Sequence, residues 1–171
     1  MSRVAGAGLA FALALTVSLV DQFLKRLVEN SMRTGESIPL VRDVLHLTYV
    51  RNSGGAFGIL DGQSAVLLAG SAVAVAVVLW VLLAGPPTRL TVAGCGLVLG
   101  GAAGNLLDRL TEGRVTDFLD LQFWPLRQWP VFNVADVAIV LGVAALLLAA
   151  LRPEKAGHQQ AAASNRGKAE S

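Results

Sequence analysis

Charge is scarce in this chain. Asp, Glu, Lys and Arg make up 15% of its 171 residues, where soluble domains carry about 25%. With 54% hydrophobic residues and a mean hydropathy of +0.59, this composition excludes a water-soluble globule and points to a small integral membrane protein. Cysteine is nearly absent. Cys95 alone forms no intramolecular disulfide, and with only His46 and His158 beside it there is no zinc-ligand spacing, so no metal or other cofactor is expected. Aromatic residues, at 6%, are too few for an aromatic-rich binding surface. The basic excess is small and unclustered, 14 Lys and Arg against 12 Asp and Glu, which excludes nucleic acid as a partner. No internal repeat occurs. Gly94, Gly96 and Gly100 lack the preceding strand and following lysine of a phosphate loop.

What the chain does have is long uncharged runs. Four stand out: Val4 to Val20 (17 residues), Gly62 to Thr88 (27), Leu90 to Leu107 (18) and Val137 to Leu151 (15). A hydrocarbon core of about 30 Å takes about 20 helical residues. The second run spans easily, and the first and third must end close to Asp21 and Asp108. The fourth falls short unless it recruits Val131 to Ala135, which brings Asp136 inside its first two turns. In an up-and-down chain Arg3, Arg89 and Arg152 bound one face, while Asp21, Asp61, Asp108 and Asp136 bound the other. Lys and Arg number 6 on the first face and 8 on the second, but the 6 lie in much shorter connections, so both termini are placed in the cytoplasm. The first run after Arg3 also fits a cleavable signal peptide, a reading that three further spans make unnecessary. Gly85-Pro86-Pro87-Thr88-Arg89 reads as a tight turn. Residues 1–152 form one membrane domain, and the polar, aperiodic segment 153–171 reads as a disordered tail.

The two connections on the acidic face carry more information. Leu45, Leu47 and Tyr49 alternate as in a short strand, and Asn52-Ser53-Gly54-Gly55 follows as a turn. Arg114 to Pro130 mixes Phe118, Phe123, Trp124 and Trp129 with Asp117 and Asp120, so both connections are expected along the lipid surface. Asp117 and Asp136 then fall on the same side of the membrane. An acid in a bilayer is costly and marks function. Two carboxylates at short range share one proton, one acting as general base on water and the other as general acid. The competing reading has Asp117 capping a turn and Asp136 snorkelling to the interface or pairing with Arg109 or Arg114.

Gly100, Gly101 and Gly104 suit close helix packing. Asn105, Asp108 and Arg109 share one helix side at i, i+3 and i+4, where Asn105 needs buried partners. Asp21 and Lys25, also at i, i+4, read as an interfacial ion pair that ends the first helix. Cys95 reads as a small core residue. Neither histidine has a nucleophile nearby in sequence.

The set Asp21-Gln22 with Lys25, Arg51-Asn52-Ser53-Gly54-Gly55-Ala56-Phe57-Gly58, Gly100 to Arg109, Val115-Thr116-Asp117-Phe118 and Phe132-Asn133-Val134-Ala135-Asp136 closely resembles bacterial lipoprotein signal peptidase, or signal peptidase II. The resemblance covers about residues 10–150, with five motifs in the family's order. It implies an aspartic endopeptidase of the bacterial inner membrane, cutting the signal peptide from a prolipoprotein just before a cysteine that already bears diacylglyceryl. Carried over by position, Asp117 and Asp136 match the catalytic aspartates. Asn52, Asn105, Arg109 and Asn133 match polar residues lining the substrate site, and Asp108 a more structural acid. Asp21 and Lys25 match the end of the first helix. The implied fold is all-α: four transmembrane helices with a small β-sheet cradle and an interfacial helix on the extracytoplasmic face. Its partners would be diacylglyceryl-prolipoproteins and membrane lipids, and the chain would act as a monomer. Gly55 departs from the alanine more common in the family and touches no chemistry.

The physical fit is direct. A lipid-modified substrate arrives laterally from the bilayer, and a dyad at headgroup depth meets its cleavage point. Apolar walls there hold a proton on the pair near neutral pH while the interface admits water. Val92-Ala93-Gly94-Cys95 resembles such a cleavage sequence by coincidence, since it lies in the third span. A proton-coupled transporter would place its acids near the midplane, and a non-enzymatic assembly factor would tolerate loss of either aspartate. Intramembrane proteases with Gly-x-Gly-Asp are excluded because no such run occurs.

Overall fold

The computed structural model describes residues 1–54 and 64–151. Four helices, α1 (Arg3–Ser31), α2 (Ser64–Ala84), α3 (Arg89–Glu112) and α4 (Val134–Leu151), are joined with three strands, β1 (Ser37–Val41), β2 (Leu45–Asn52) and β3 (Val115–Leu121). All four helices are long and apolar enough to cross a bilayer, which makes the chain a multi-pass membrane protein. Phe11, Leu15 and Leu19 on α1, Trp80 on α2, and Leu147 and Leu148 on α4 are all more than half exposed, as lipid-facing side chains must be. Gly55 to Asp61, Arg152 and the tail 153–171, with His158, lie outside the described residues.

The helix centred in the bundle is α3. Two-thirds of its apolar window is buried, against about a fifth or less for each of the others. Its glycines explain how α1 and α4 approach it. A Cβ at Gly96 would come within 2.8 Å of the Ala10 carbonyl oxygen, one at Gly100 within 2.6 Å of the Ala14 carbonyl oxygen, and one at Gly94 within 2.9 Å of the Gly142 carbonyl oxygen. Backbone therefore packs on backbone along two seams, the geometry that small residues allow in lipid. Val78 and Leu82 of α2 complete the cluster formed with Ala10, Val92, Cys95 and Leu99, so Cys95 is a core residue. The ends of α3 are set locally. Thr88 caps it, its hydroxyl accepting the Thr91 N–H at 3.1 Å, and Gly113 closes it at φ 68°, a left-handed conformation that favours glycine.

One expectation needs correction. The first helix does not stop near Asp21: α1 continues to Ser31, so Asp21 and Lys25 lie within it, at 0% and 1% exposure. Their ion pair is buried in the bundle and does not end the helix. Residues 115–118 of β3, after Arg114, are all buried against the rest of the chain.

The sheet is antiparallel in the order β1-β2-β3, and it stitches the α1–α2 connection to the α3–α4 connection. Tyr49 of β2 and Phe118 of β3 pack on Val28 and Met32 at the end of α1. The register shifts by one residue between Leu47↔Leu119 and Val50↔Asp117. Such a bulge re-aims side chains, and here it turns Asn52 rather than Arg51 toward Asp117. Of a surface helix, the described residues contain one 3-10 turn, Leu126–Gln128.

Candidate active site

Two backbone devices bring Asp117 and Asp136 together. Phe132 pairs with β3 immediately past Asp117: its carbonyl accepts the N–H groups of Phe118 (3.0 Å) and Leu119 (2.7 Å), and its own N–H reaches the Leu119 carbonyl at 3.0 Å. Asn133 then starts α4. Its side-chain oxygen accepts the Asp136 N–H at 2.9 Å, and Asp136 Oδ2 accepts the Asn133 N–H at 3.2 Å. This reciprocal arrangement is a capping box, and its signature in the sequence is Asn133-x-x-Asp136.

Each carboxylate oxygen of the pair accepts one fixed donor. Asn52 Nδ2 donates to Asp117 Oδ2 at 2.9 Å and Asn133 Nδ2 to Asp117 Oδ1 at 2.7 Å. Asn105 Nδ2 donates to Asp136 Oδ1 at 2.8 Å, and the Asn133 backbone serves Oδ2. Asn133 therefore holds both acids at once. It is fully buried and sits behind the site. Asn52, Asn105, Arg109, Asp117 and Asp136 line one cavity of about 390 Å³, whose other walls include Val115, Phe132, Ile139 and Val140. Among the described residues neither acid pairs with an arginine. Arg109 instead reaches the carbonyls of Asn105 and Gly54, each at 3.4 Å.

Burial pushes the Asp117 carboxyl up to about 7. The hydrogen bond from Asn52 opposes that rise, the charge of Asp136 adds to it, and the bond from Asn133 opposes it. Asp117 therefore keeps a proton into the neutral range, and the pair suits acid–base work on a bound water. Among the described residues no group of His, Cys, Asp and Glu is arranged to hold a metal ion.

Asp21, Lys25 and Asp108 stand behind this layer and do not line the cavity. Lys25 Nζ lies 2.7 Å from Asp21 Oδ2 and 2.7 Å from Asp108 Oδ2, and Asp21 Oδ1 accepts the Ala135 N–H at 2.9 Å. Gln22, which the sequence reading left without a role, donates to Asp108 Oδ1 at 2.6 Å and to the Gly104 carbonyl at 3.2 Å. Thr116 was missed as well, its hydroxyl donating to Glu29 at 2.6 Å beside the dyad strand. Arg51, near the end of the central strand β2, pairs with Glu112 at the end of α3.

The comparisons with known proteins agree with one another. The sequence profile of the family described as Signal peptidase (SPase) II matches residues 13–152. A lipoprotein signal peptidase of Halothermothrix orenii is 42% identical, covering 87% of this chain and 99% of its own. One from Brevibacillus brevis is 44% identical, covering 81% and 91%. A bacterial membrane enzyme solved by the in meso method superposes with a TM-score of 0.79 at 27% identity, over 86% of this chain and 93% of that one. With its four apolar helices and paired aspartates in hand, the chain is placed by these matches in the signal peptidase II family.

Proposed function

We propose that this protein is a membrane aspartic endopeptidase that removes the signal peptide from diacylglyceryl-modified prolipoproteins by cutting before the lipidated cysteine. The observation that carries this reading is Asn133 holding two carboxylates, Asp117 and Asp136, on the wall of one largely apolar cavity. Asp117, carrying the proton, protonates the scissile carbonyl oxygen while Asp136 takes a proton from the attacking water. The tetrahedral diol then collapses: the C–N bond breaks, Asp136 gives its proton to the leaving amine, and a diol proton returns to Asp117. Asn52 and Arg109 line the path of the substrate backbone.

Access from lipid suits the α4 side of the cavity, where Val140 and Leu141 line the wall yet are 65% and 56% exposed. The site lies at the membrane face where α3 ends and α4 begins, and the opposite face carries Arg3 and Arg89. Arg3 there reaches the Leu83 carbonyl at 3.3 Å. The density of Lys and Arg supports a cytoplasmic placement of that opposite face, of both termini with it, and an extracytoplasmic site in the bacterial inner membrane.

Mass spectrometry of products from purified protein tests the substrate. A diacylglyceryl-modified precursor is expected to yield a fragment that starts at the lipidated cysteine. The same precursor with serine at that position, which cannot carry the thioether lipid, is expected to remain uncut. Cleavage of both at comparable rates would remove the lipid from the specificity.

A further inference from the structure

We infer that Lys25 is a positioning residue for the reaction, acting on Asp136 through the side-chain amide of Asn105. This inference rests on the proposed peptidase reading and adds to it a residue that never meets the substrate.

An ammonium has three donors and no acceptor. Lys25 Nζ donates to Asn105 Oδ1 at 2.9 Å and forms ion pairs with Asp21 Oδ2 and Asp108 Oδ2, each at 2.7 Å. The Asn105 atom facing Lys25 must therefore be the oxygen. The other amide atom, Nδ2, is thereby aimed at Asp136 Oδ1, 2.8 Å away. With the amide reversed, an NH2 would face the ammonium and a carbonyl oxygen would face the carboxylate, two repulsive contacts in a low-dielectric site. A second constraint points the same way: Asn105 Oδ1 also accepts from Asn133 Nδ2 at 3.1 Å.

Lys25 is itself held. It is 1% exposed, and its two carboxylates are anchored on other elements. Asp21 accepts the Ala135 N–H of α4, and Asp108 accepts Gln22 Nε2 of α1 and, at 3.4 Å, the Thr116 N–H of β3. Gly104 makes room for the arrangement, because a Cβ there would come within 2.5 Å of Asp21 Oδ2. The charged groups gathered around Asn105 are thus Asp21 and Lys25 from α1, Asp108 and Arg109 from α3, Asp117 from β3 and Asp136 from α4. Of these, Lys25 is the cation that faces the amide oxygen.

A double-mutant cycle on the full chain in detergent tests this, with kcat and KM measured on a diacylated precursor and normalised to folded protein. Lys25→Met is expected to lower kcat on the order of 100-fold with KM changed less than about threefold. Asn105→Ala is expected to lower kcat similarly, and adding Lys25→Met to Asn105→Ala is expected to cost less than about threefold more, since the amide through which Lys25 acts is already gone. Losses that multiply, or a loss carried by KM, would overturn the inference. Because Lys25→Met strands two buried carboxylates, the cycle is repeated with Lys25→Met/Asp108→Asn in its place, which decides the matter if the single variant does not accumulate. Failure here with Asp117→Asn and Asp136→Asn inactive leaves the peptidase reading standing; active aspartate variants would remove the reading itself.

Discussion

Asp117→Asn and Asp136→Asn each lower kcat on a diacylated precursor by about a hundredfold to ten-thousandfold, the range supplied by a positioned acid or base. An amide neither stores nor accepts the proton at neutral pH. Each substitution also sets an NH2 against a donor that now serves the carboxylate: Asn52 or Asn133 at Asp117, and Asn105 or the Asn133 N–H at Asp136. That conflict costs about 1–3 kcal/mol locally, while the glycine seams that hold α1, α3 and α4 together are untouched. Membrane-inserted protein is therefore expected at near wild-type amount with almost no turnover. In the wild type, kcat/KM is expected to fall as pH rises through about 7, where Asp117 loses its proton. Near wild-type turnover in either variant would contradict the dyad.

The second large effect comes from one methyl group placed between α3 and α4. Gly101→Ala sets a Cβ against the Ala135 carbonyl oxygen, closer than any real contact, and 2.8 Å from Ile139 Cγ1. The obstruction is the backbone of the residue before Asp136, so relief requires the first turn of α4 to move away from α3. Overpacking of this kind costs about 1–3 kcal/mol. A displacement of about 1 Å at a reacting group costs on the order of 100-fold in rate. Gly101→Ala is thus expected to lose activity far out of proportion to its lowered thermal stability, read as kcat beside the melting temperature in detergent. Ser71→Ala, on α2 and bonded to its own helix at the Leu67 carbonyl, serves as the neutral control.

These two predictions draw on different parts of what the sequence made visible. The spans were legible because charge is absent from long stretches and Arg3, Asp61, Arg89 and Asp136 punctuate them. Counting how far 15 residues reach puts Asp136 inside the first two turns of the fourth span, and it stands in the first turn of α4. The site itself was legible through motif resemblance, since Asp117 and Asp136 are joined by contacts that no local pattern encodes. Asn52 reaches Asp117 only because a bulge in β2 breaks the alternation that Leu45, Leu47 and Tyr49 establish. The Phe132 latch onto Leu119 is an isolated bridge with no period to announce it.

Asp21 and Lys25 show a different limit. Their i, i+4 spacing says that they can pair, but not which side of α1 faces the bundle. An apolar helix in lipid has no amphipathic contrast to reveal it, so spacing alone does not show that the pair is buried in the bundle. The signal that could have placed it is Gly104 beside Asn105 and Asp108: a glycine one residue from a buried amide makes room for something, and the structure shows that it is Asp21.

The central claim is that Asp117 and Asp136 act on a water molecule and form no covalent bond to the substrate. Single-turnover cleavage in 18O-enriched water, with enzyme in excess over diacylated precursor, tests it most directly. Mass spectrometry of the released signal peptide is predicted to show one 18O in its new terminal carboxylate from the first turnover. A first-turnover product carrying only 16O, with the label appearing after repeated cycles, would mean that an enzyme carboxylate supplied the oxygen and would contradict the account.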